Sequence, residues 1–348
     1  MQSIEQALQH YPRETFTRTP TPLDHLKHLS KALDIELYLK RDDLTDLALG
    51  GDKPRKLEYE IAQARAQGAD TLVTCGSSQS NHARLTTAAA RSLGLDCAVV
   101  LSQDMWKAFQ GNLLTVCLMG AQVEVVETPD HWDLEEHALA LCEKLKAKGR
   151  KPHYIPVSGT TPHSCLGYVR ATLELIEQLK DMQLQPDAIY TPFGTGGIFT
   201  AMLLTLRESG LDTPLIGISV NRQLPECKEN LEHWWGALCG LLDRDPQRAR
   251  GDFEIYDAFI GKEYGDPTEA CLDAILKMAK TEGVLLDPVY SGKTFSGLLA
   301  QHQQGRWSQG QRILMLHSGG VPALFAYHQA IQTHLEKHNL LPKISNIL

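Results

Sequence analysis

Short runs of apolar and β-branched residues alternate along the chain with longer segments whose apolar residues recur three and four positions apart. The short runs predict strands at residues 36–39, 71–74, 98–101, 123–126, 153–157, 188–190, 215–220 and 313–316. The longer segments predict helices at residues 55–67, 81–93, 134–148, 166–179 and 267–280. Because strands joined by crossover helices lie parallel with helices on both faces, this order predicts a doubly wound α/β architecture.

Composition narrows the functional classes. The 348 residues exceed one typical domain of about 150 residues, so the length favours two domains. The formal net charge of −8 makes nucleic acid a poor partner, and nowhere do about 18 apolar residues run uninterrupted as a membrane helix needs. The first residues lack a basic start before an apolar stretch, so we expect no secretion signal. The eight cysteines contain no C-x-x-C pair, which favours free thiols in a reducing cytoplasm.

In an open parallel sheet, ligands bind where strands end and the chain turns into a helix. Residues 75–82 form such a turn, with the sequence Cys-Gly-Ser-Ser-Gln-Ser-Asn-His. Its backbone N–H groups at a predicted helix N-terminus suit a carboxylate, although a capping role of Ser80 or Asn81 explains the same residues. A second such turn, His-Ser-Gly-Gly-Val-Pro at residues 317–322, is equally compatible with a tight capped turn and with a ligand contact.

A further turn, at residues 191–198, is rich in glycine. Gly194, Gly196 and Gly197 allow a ligand to approach the backbone closely, and the helix that follows directs its positive end at the same place. A phosphate group suits this arrangement. The turn matches neither the P-loop nor the dinucleotide fingerprint, so the sequence supports neither nucleotide class.

Two lysines, Lys53 and Lys56, lie three residues apart at the start of a predicted helix, with Pro54 suited to its first turn. In isolation such a pair most often forms a solvated surface. Here Gly50 and Gly51 precede Lys53, so a planar group can approach the backbone. A second lysine near a phosphate-binding turn would complete a site for an aldehyde that carries a phosphate.

Motifs along nearly the whole chain resemble, in the same order, those of the pyridoxal-phosphate enzymes of the D-cysteine desulfhydrase and 1-aminocyclopropane-1-carboxylate deaminase family. They are Thr-Pro-Leu at 21–23, Lys-Arg-Asp-Asp at 40–43, Gly-Gly-Asp-Lys-Pro-Arg-Lys-Leu-Glu at 50–58, Gln-Ser-Asn-His at 79–82, Leu-Asp-Pro-Val-Tyr-Ser-Gly-Lys at 286–293 and His-Ser-Gly-Gly at 317–320. The resemblance implies fold type II, the tryptophan synthase β type, with two open, twisted, mostly parallel sheets flanked by helices. It also implies a small domain of residues 57–165 inserted into a large domain of residues 1–56 and 166–348, and a homodimer.

The resemblance implies roles for individual residues. Those that resemble contacts of pyridoxal 5′-phosphate are Lys53, Lys56, Asn81, Gly194, Thr195, Gly196, Gly197, Ser291 and Ser318, with Lys53 as the Schiff-base lysine. Those that resemble contacts of the substrate carboxylate are Gln79, Ser80, Asn81 and His82. The catalytic residues are Lys53, Ser80, Tyr264 and Tyr290. One departure is Asp52, where the family usually has asparagine, and its charge would lie near the cofactor.

Two serines favour one branch of the family. The deaminase has glutamate at the position of Ser291 and leucine at that of Ser318. A carboxylate at the position of Ser291 would keep the pyridine nitrogen protonated for ring opening. Serine is a weaker partner for that nitrogen, but it still supports loss of a good β-leaving group. We therefore expect β-elimination from a small cysteine-like amino acid, with D-cysteine giving pyruvate, ammonia and hydrogen sulfide.

Alternatives remain open within and beyond this resemblance. An L-cysteate sulfo-lyase would release sulfite, and Thr160, Thr161 and His163 could contact the sulfonate, with Trp106 as a wall of the same cleft. A deaminase and a non-catalytic binder of pyridoxal phosphate or amino acids are further alternatives. A metal hydrolase or a serine hydrolase is disfavoured, because the sequence has no H-E-x-x-H and no G-x-S-x-G, and we expect no metal.

Overall fold

The computed structural model describes residues 3–103, 109–128 and 131–341. Its strands are β1 (Leu23–His25), β2 (Glu36–Arg41), β3 (Thr71–Ser77), β4 (Asp96–Ser102), β5 (Gln122–Val126), β6 (Pro152–Ile155), β7 (Ala188–Phe193), β8 (Leu215–Ser219), β9 (Phe253–Tyr256) and β10 (Arg312–His317). Its α-helices are α1 (Ile4–Leu8), α2 (Lys27–Leu33), α3 (Lys53–Ala66), α4 (Asn81–Ser92), α5 (Gly111–Leu118), α6 (Glu135–Ala147), α7 (Pro162–Asp181), α8 (Gly197–Glu208), α9 (Leu224–Leu242), α10 (Glu269–Glu282), α11 (Ser291–Gln303) and α12 (His328–Lys337).

The strands form two sheets. The first has six strands in the order β1-β2-β10-β7-β8-β9, and the pairing of β1 with β2 is its antiparallel part. The second has four strands in the order β5-β4-β3-β6 and is parallel throughout. Helices pack on both sheets, and the apolar side chains between the layers are buried. The predicted α/β class, with two mostly parallel sheets flanked by helices, is confirmed.

All of the strands predicted from the pattern are present, but β1 and β9 were not predicted. These two strands lie at the edges of the first sheet and are only three and four residues long, with half-buried side chains throughout. Such segments carry too little apolar patterning to be distinguished from loops. The predicted strand at 153–157 ends at Ile155, because Pro156 cannot donate to a ladder and Val157 begins a 3-10 turn.

The strands of the second sheet all come from one continuous part of the chain, since β3 to β6 fall between residues 71 and 155. The strands of the first sheet come from both sides of that part. This order of elements is what an inserted domain requires. The boundaries at residues 57 and 165 stay a prediction.

Other sequence expectations concern the thiols and the membrane. All eight cysteines are free, and most of them are buried. Within the described ranges, every helix is too short or too polar to cross a membrane.

A cluster of buried charges joins β2, α3 and α7. We call it the Arg55 cluster, and its members are Thr21, Lys40, Asp42, Arg55, Tyr168 and Glu174. Arg55 donates to both carboxylates, with Nε 2.9 Å from Asp42 Oδ2 and Nη1 2.9 Å from Glu174 Oε2. Lys40 Nζ lies 2.5 Å from Glu174 Oε1, and the hydroxyl of Tyr168 donates to Asp42 over 2.8 Å. Each buried charge therefore has an opposite partner.

The Arg55 cluster predicts how stability depends on pH. Burial alone would raise the pKa of Glu174, but the hydrogen bond and charge of Arg55, followed by those of Lys40, outweigh it and lower the pKa from 4.5 to about 2. Because the pKa is lowered in the folded state, the stabilisation is complete above the ordinary pKa and is lost as the pH falls through 2. We expect Glu174→Gln to lower the free energy of unfolding at pH 7 by about 3 kcal/mol.

Urea denaturation at pH 7, 5 and 3 measures this effect. The difference between wild type and Glu174→Gln should be largest at pH 7 and should shrink towards pH 3. Glu177→Gln is the matched control, because Glu177 is an exposed carboxylate on the same helix. A difference between wild type and Glu174→Gln that does not change with pH would contradict the prediction.

Candidate active site

The loop before α3 brings Lys53 to the carboxyl end of β10. Gly50 and Gly51 have φ angles of +67° and +131°, which L side chains rarely adopt. A Cβ on Gly319, in the turn after β10, would lie 2.5 Å from the Cα of Gly51, so the two turns touch. The N–H of Asp52 donates to the carbonyl of Ser318 over 2.9 Å. Only glycine allows this approach, which sets Lys53 beside the end of the first sheet.

Lys53 is the first residue of α3 and is largely buried. Its Nζ lies 2.6 Å from Asp52 Oδ2 and 5.9 Å from the centre of the Tyr290 ring. The predicted lysine therefore does not point to bulk solvent. Its carboxylate partner is Asp52, the residue at which this chain departs from the asparagine that is usual in the family.

Lys56 follows one helical turn later and is also buried. Its Nζ donates to the hydroxyl of Thr160 over 2.6 Å and to the carbonyl of Ser158 over 3.2 Å. Burial, followed by the charge of Lys53, lowers the pKa of Lys56 from 10.5 to about 8. These two hydrogen-bond acceptors are neutral, so an anion placed here would gain a strong interaction with the ammonium group.

The glycine-rich turn joins β7 to α8, beside Lys56. The hydroxyls of Thr160 and Thr195 lie 2.6 Å apart, which links Lys56 to this turn. Gly196 has a φ of +89°, and a Cβ on Gly197 would lie 2.6 Å from the Thr160 methyl group. The first N–H groups of a helix have no partner within it, and α8 begins here. The turn thus combines backbone donors, a hydroxyl and a nearby cation.

The turn after β3 is built as a capped helix start. Ser80 Oγ accepts from the N–H of Ala83 over 3.1 Å and caps α4. Asn81 Oδ1 accepts from the side chain of Asn112 over 2.9 Å. The capping explanation of Ser80 therefore holds for the geometry. It does not exclude a carboxylate at the same helix N-terminus, because Asn81 lines the cavity described below.

Gln79 and His82 lie behind that turn. The Gln79 side-chain carbonyl accepts from the N–H of Asn112 over 2.9 Å, so this side chain holds α5 against the turn. His82 is buried, and a Cβ on Gly159 would lie 2.4 Å from its ring. Burial, followed by the charges of Lys53 and Lys56, lowers the pKa of His82 well below 6.5, so the ring is neutral.

Tyr290 and Tyr264 form a pair. Their hydroxyl oxygens lie 2.7 Å apart, and their rings meet edge to face. Burial, followed by the neighbouring Tyr264, raises the pKa of Tyr290 well above 10. Tyr290 is therefore a neutral phenol that can donate a proton.

Ser318 and Ser291 differ in their surroundings. Ser318 lines the cavity, whereas the hydroxyl of the fully buried Ser291 donates to Asp287 Oδ1 over 2.6 Å. Asp287 also accepts from the N–H groups at the start of α11. His317 is neutral, because its Nδ1 accepts from Gly319 while its Nε2 lies 3.0 Å from the Leu285 carbonyl.

These elements line a cavity whose empty space, including the part open to solvent, is about 490 Å³. Its lining residues are Asp52, Lys53, Lys56, Asn81, Ser158, Pro192, Gly194, Thr195, Gly196, Ile198, Phe199, Tyr290, Ser318 and Gly319. Most of the predicted cofactor contacts thus line this one cavity. Gly197, Ser80, Thr160 and Tyr264 are neighbours of lining residues, and Gln79, His82 and Ser291 lie behind the wall.

Two of the contacts predicted for a sulfonate, His163 and Thr161, also lie outside this cavity wall. His163 packs edge to face on Tyr11, with ring centres 5.8 Å apart, and is not among the lining residues. Thr161, which shares its loop, accepts from Ser164 and caps α7. Trp106 lies outside the described residues.

The sequence pattern did not indicate Arg84, which lies behind the cavity wall and connects two of its loops. Arg84 is fully buried in α4 and donates to the carbonyls of Ala48 and Gly50, and over 2.7 Å to Asn112 Oδ1. It therefore ties the loop before Lys53 to the turn that carries Asn81. Burial lowers the pKa of Arg84 to about 10. An arginine four residues into a helix of alanines and threonines gives no pattern signal, because its acceptors are backbone carbonyls distant in sequence.

The residues present fit pyridoxal phosphate. A largely buried primary amine, Lys53, reaches the cavity and suits an aldehyde. The start of α8, with Gly196 and Thr195 in the wall and Lys56 nearby, suits a phosphate ester. Tyr290 and Gly319 line the same cavity, and a glycine there lets a planar ring approach the backbone.

Comparisons with known proteins agree with this fit. The chain is 38% identical to a D-cysteine desulfhydrase of Serratia proteamaculans over 334 residues, which cover 94% of this chain and 100% of the relative. It is 37% identical to a D-cysteine desulfhydrase of Salmonella typhimurium over 326 residues, which cover 92% of this chain and 98% of the relative. A crystal structure of an ACC deaminase homologue superposes with a TM-score of 0.88 at 34% identity, covering 96% of this chain and 100% of that one.

A family model described as "Pyridoxal-phosphate dependent enzyme" matches residues 15–319, which include every motif quoted above except the last residue of the final one. The near-complete coverage of the two relatives leads to the same conclusion. By sequence, fold and the chemistry of its cavity, the chain belongs to the family of pyridoxal-phosphate-dependent enzymes.

Proposed function

We propose that this protein is a D-cysteine desulfhydrase, a carbon–sulfur lyase that converts D-cysteine and water into pyruvate, ammonia and hydrogen sulfide. The observation that carries the proposal is the full-length similarity to two proteins of that name, combined with a buried lysine in the cavity. When bound, pyridoxal phosphate supplies an electron sink that stabilises negative charge at the substrate Cα.

The site residues divide the remaining work among them. Lys56, Thr195 and the start of α8 hold the phosphate, and Lys53 holds the aldehyde end of the cofactor. Ser80, Asn81 and the N–H groups at the start of α4 bind the substrate carboxylate. While the substrate amine takes its place at the aldehyde end of the cofactor, the free Nζ of Lys53 accepts the proton from the substrate Cα. The carboxylate of Asp52, 2.6 Å away, stabilises the ammonium group that results.

Departure of the sulfur requires a proton. Tyr290 lines the cavity as a neutral phenol and donates that proton to the sulfur as the C–S bond breaks, so that hydrogen sulfide departs. Water from the open side of the cavity then returns a proton to the Tyr290 oxygen. Tyr264 is a positioning residue, because its hydroxyl holds that of Tyr290 at 2.7 Å.

The charges of the cavity wall favour this reaction over the two alternatives. Among the described lining residues, Asp52 is the one carboxylate, and it is paired with Lys53. Ring opening would call for an acid at position 291, where this chain has a serine whose hydroxyl donates to Asp287. A second negative charge, such as the sulfonate of cysteate, would be repelled by Asp52, and His163 is not in the wall to offset it.

Three broader features belong to the same proposal. Residues 57–165 act as a small domain that closes over a large domain formed by residues 1–56 and 166–348. The chain works as a homodimer, on the strength of its family resemblance. Its free thiols suit the cytoplasm.

A product assay tests the proposed reaction. We expect D-cysteine to give pyruvate and sulfide in equal amounts, and L-cysteate to give sulfite at least about tenfold more slowly, because Asp52 repels the sulfonate. L-cysteine, D-serine and aminocyclopropane carboxylate are assayed in parallel. Sulfite as the main inorganic product would favour the sulfo-lyase, and 2-oxobutyrate as the sole keto acid would overturn elimination.

Replacing Tyr290 tests the proton donor. We expect Tyr290→Phe to lower kcat for D-cysteine at least about 100-fold, since general acids typically contribute that much. The kcat of this variant for β-chloro-D-alanine should fall less than about tenfold, because chloride leaves without a proton. Tyr190→Phe is the matched control, as Tyr190 is a buried tyrosine hydrogen-bonded to Gln301, away from the cavity. Equal losses for both substrates would refute the assignment.

The lowered pKa of Lys56 predicts how phosphate binding depends on pH. The ammonium group loses its proton above about pH 8, and a bound phosphate raises that pKa again, so affinity should fall as the pH rises above 8. The ligand to use is pyridoxine 5′-phosphate, which has no aldehyde to react with Lys53. Equilibrium dialysis with the apoprotein should show up to about tenfold weaker binding at pH 9 than at pH 8.

Lys56→Met is the companion variant. It should bind pyridoxine 5′-phosphate weakly at both pH values and lose the dependence on pH in this range. If the variant kept the slope of the wild type, another group would hold the phosphate.

A further inference from the structure

Two histidines and an aspartate form a cluster outside the cavity of Lys53. His334 lies in α12, and His338, four residues later, follows the end of that helix. Asp273 lies in α10, which packs against α12. The three side chains each direct one possible ligand atom at a common point, with all three atoms within 4.8 Å of one another.

The distances between these atoms match a coordination polyhedron. Asp273 Oδ1 lies 3.1 Å from His334 Nε2 and 3.4 Å from His338 Nε2. A tetrahedral zinc ion with bonds of about 2.0 Å holds its ligand atoms about 3.3 Å apart. The histidine rings are 4.6 Å apart between centres and inclined at 56°, so both present Nε2 to the same carboxylate.

The polar edge of His334 has Asp273 Oδ1 as its neighbour, but the two atoms are not aligned as a hydrogen bond. Its side chain is only 5% exposed, and its Nε2 makes no hydrogen bond, although Asp273 is near. A buried polar atom without a partner costs free energy. A bond from Nε2 to a metal ion would remove that cost, and the exposed sides of Asp273 and His338 leave an open path for the ion.

We propose that Asp273, His334 and His338 bind a divalent cation of the zinc class, which clamps α12 to α10. Imidazole and carboxylate ligands suit Zn²⁺, Ni²⁺ and Cu²⁺, whereas Mg²⁺ and Ca²⁺ require a shell of oxygen atoms. Water fills the remaining coordination position. The neighbouring Lys337 is neutralised by Glu269, 3.3 Å away, so it does not oppose a cation here.

The clamp links the last described helix to α10. α12 begins after the 3-10 turn Val321–Phe325, which follows the end of β10 and its turn at Ser318 and Gly319. An ion that binds only the folded state raises stability in proportion to its free concentration. The ion is therefore a stabilising ligand of the contact between α10 and α12, and takes no part in the proposed lyase reaction.

Zinc binding and thermal unfolding test the proposal. Holoenzyme without an affinity tag is stripped of metal with a chelator and dialysed against ZnCl₂ in parallel with His338→Ala, Asp273→Asn and His328→Ala. His338 and Asp273 are exposed, so these variants should fold, and His328 is an exposed histidine of the same helix outside the cluster. Wild type and His328→Ala should bind one Zn²⁺ per chain and show a raised melting temperature.

The two cluster variants should bind Zn²⁺ at least about tenfold more weakly and lose the shift in melting temperature. Mg²⁺ should give no shift in any of them. Equal Zn²⁺ affinity in wild type, His338→Ala and Asp273→Asn would overturn the proposal, as would the absence of any Zn²⁺ binding to the wild type. Either result would leave the three side chains as an ion pair only.

Discussion

The ion pairs of Arg55 are the constraint on which the rest of the site depends. Arg55 is nearly inaccessible to solvent and bonds Asp42 and Glu174 at once, so it connects the end of β2 to the middle of α7. Removing one member of such a buried set leaves an uncompensated charge, which typically costs 3–5 kcal/mol. The first turn of α3 therefore has one stable position, and Lys53 lies in that turn.

A second consequence of burial is the charge of the cavity. Lys53 and Lys56 lower the proton affinity of their surroundings, as the neutral His82 and the lowered pKa of Lys56 indicate. Asp52 offsets one of the two lysines. Lys56, the second lysine, donates hydrogen bonds only to neutral oxygens among its described contacts. The cavity wall is therefore complementary to an anion. A phosphate ester would satisfy that excess, so the cofactor complements the protein electrostatically.

The site could be predicted from the sequence wherever local pattern and backbone chemistry coincide. Gly50 and Gly51 predicted a backbone that only glycine allows, and both have positive φ angles, with Gly51 in contact with Gly319. The approach of a planar ligand to these glycines stays a prediction. Prediction failed where the deciding partner is distant along the chain. Arg84 binds carbonyls more than thirty positions away, and the edge strand β9 is defined by its pairing with β8.

The sequence by itself determined the alternation of strands and helices, and with it the parallel sheets, because hydrophobic periodicity is a local property of the chain. It also determined which residues have the chemistry for an aldehyde, a phosphate and a carboxylate. Only the tertiary structure decided which of them share one wall. It brought Tyr290 and Ser318 to Lys53, turned Ser291 to Asp287, and left His163 against Tyr11. The reason is physical: contacts between distant segments follow from how whole sheets and helices pack, which no local pattern encodes.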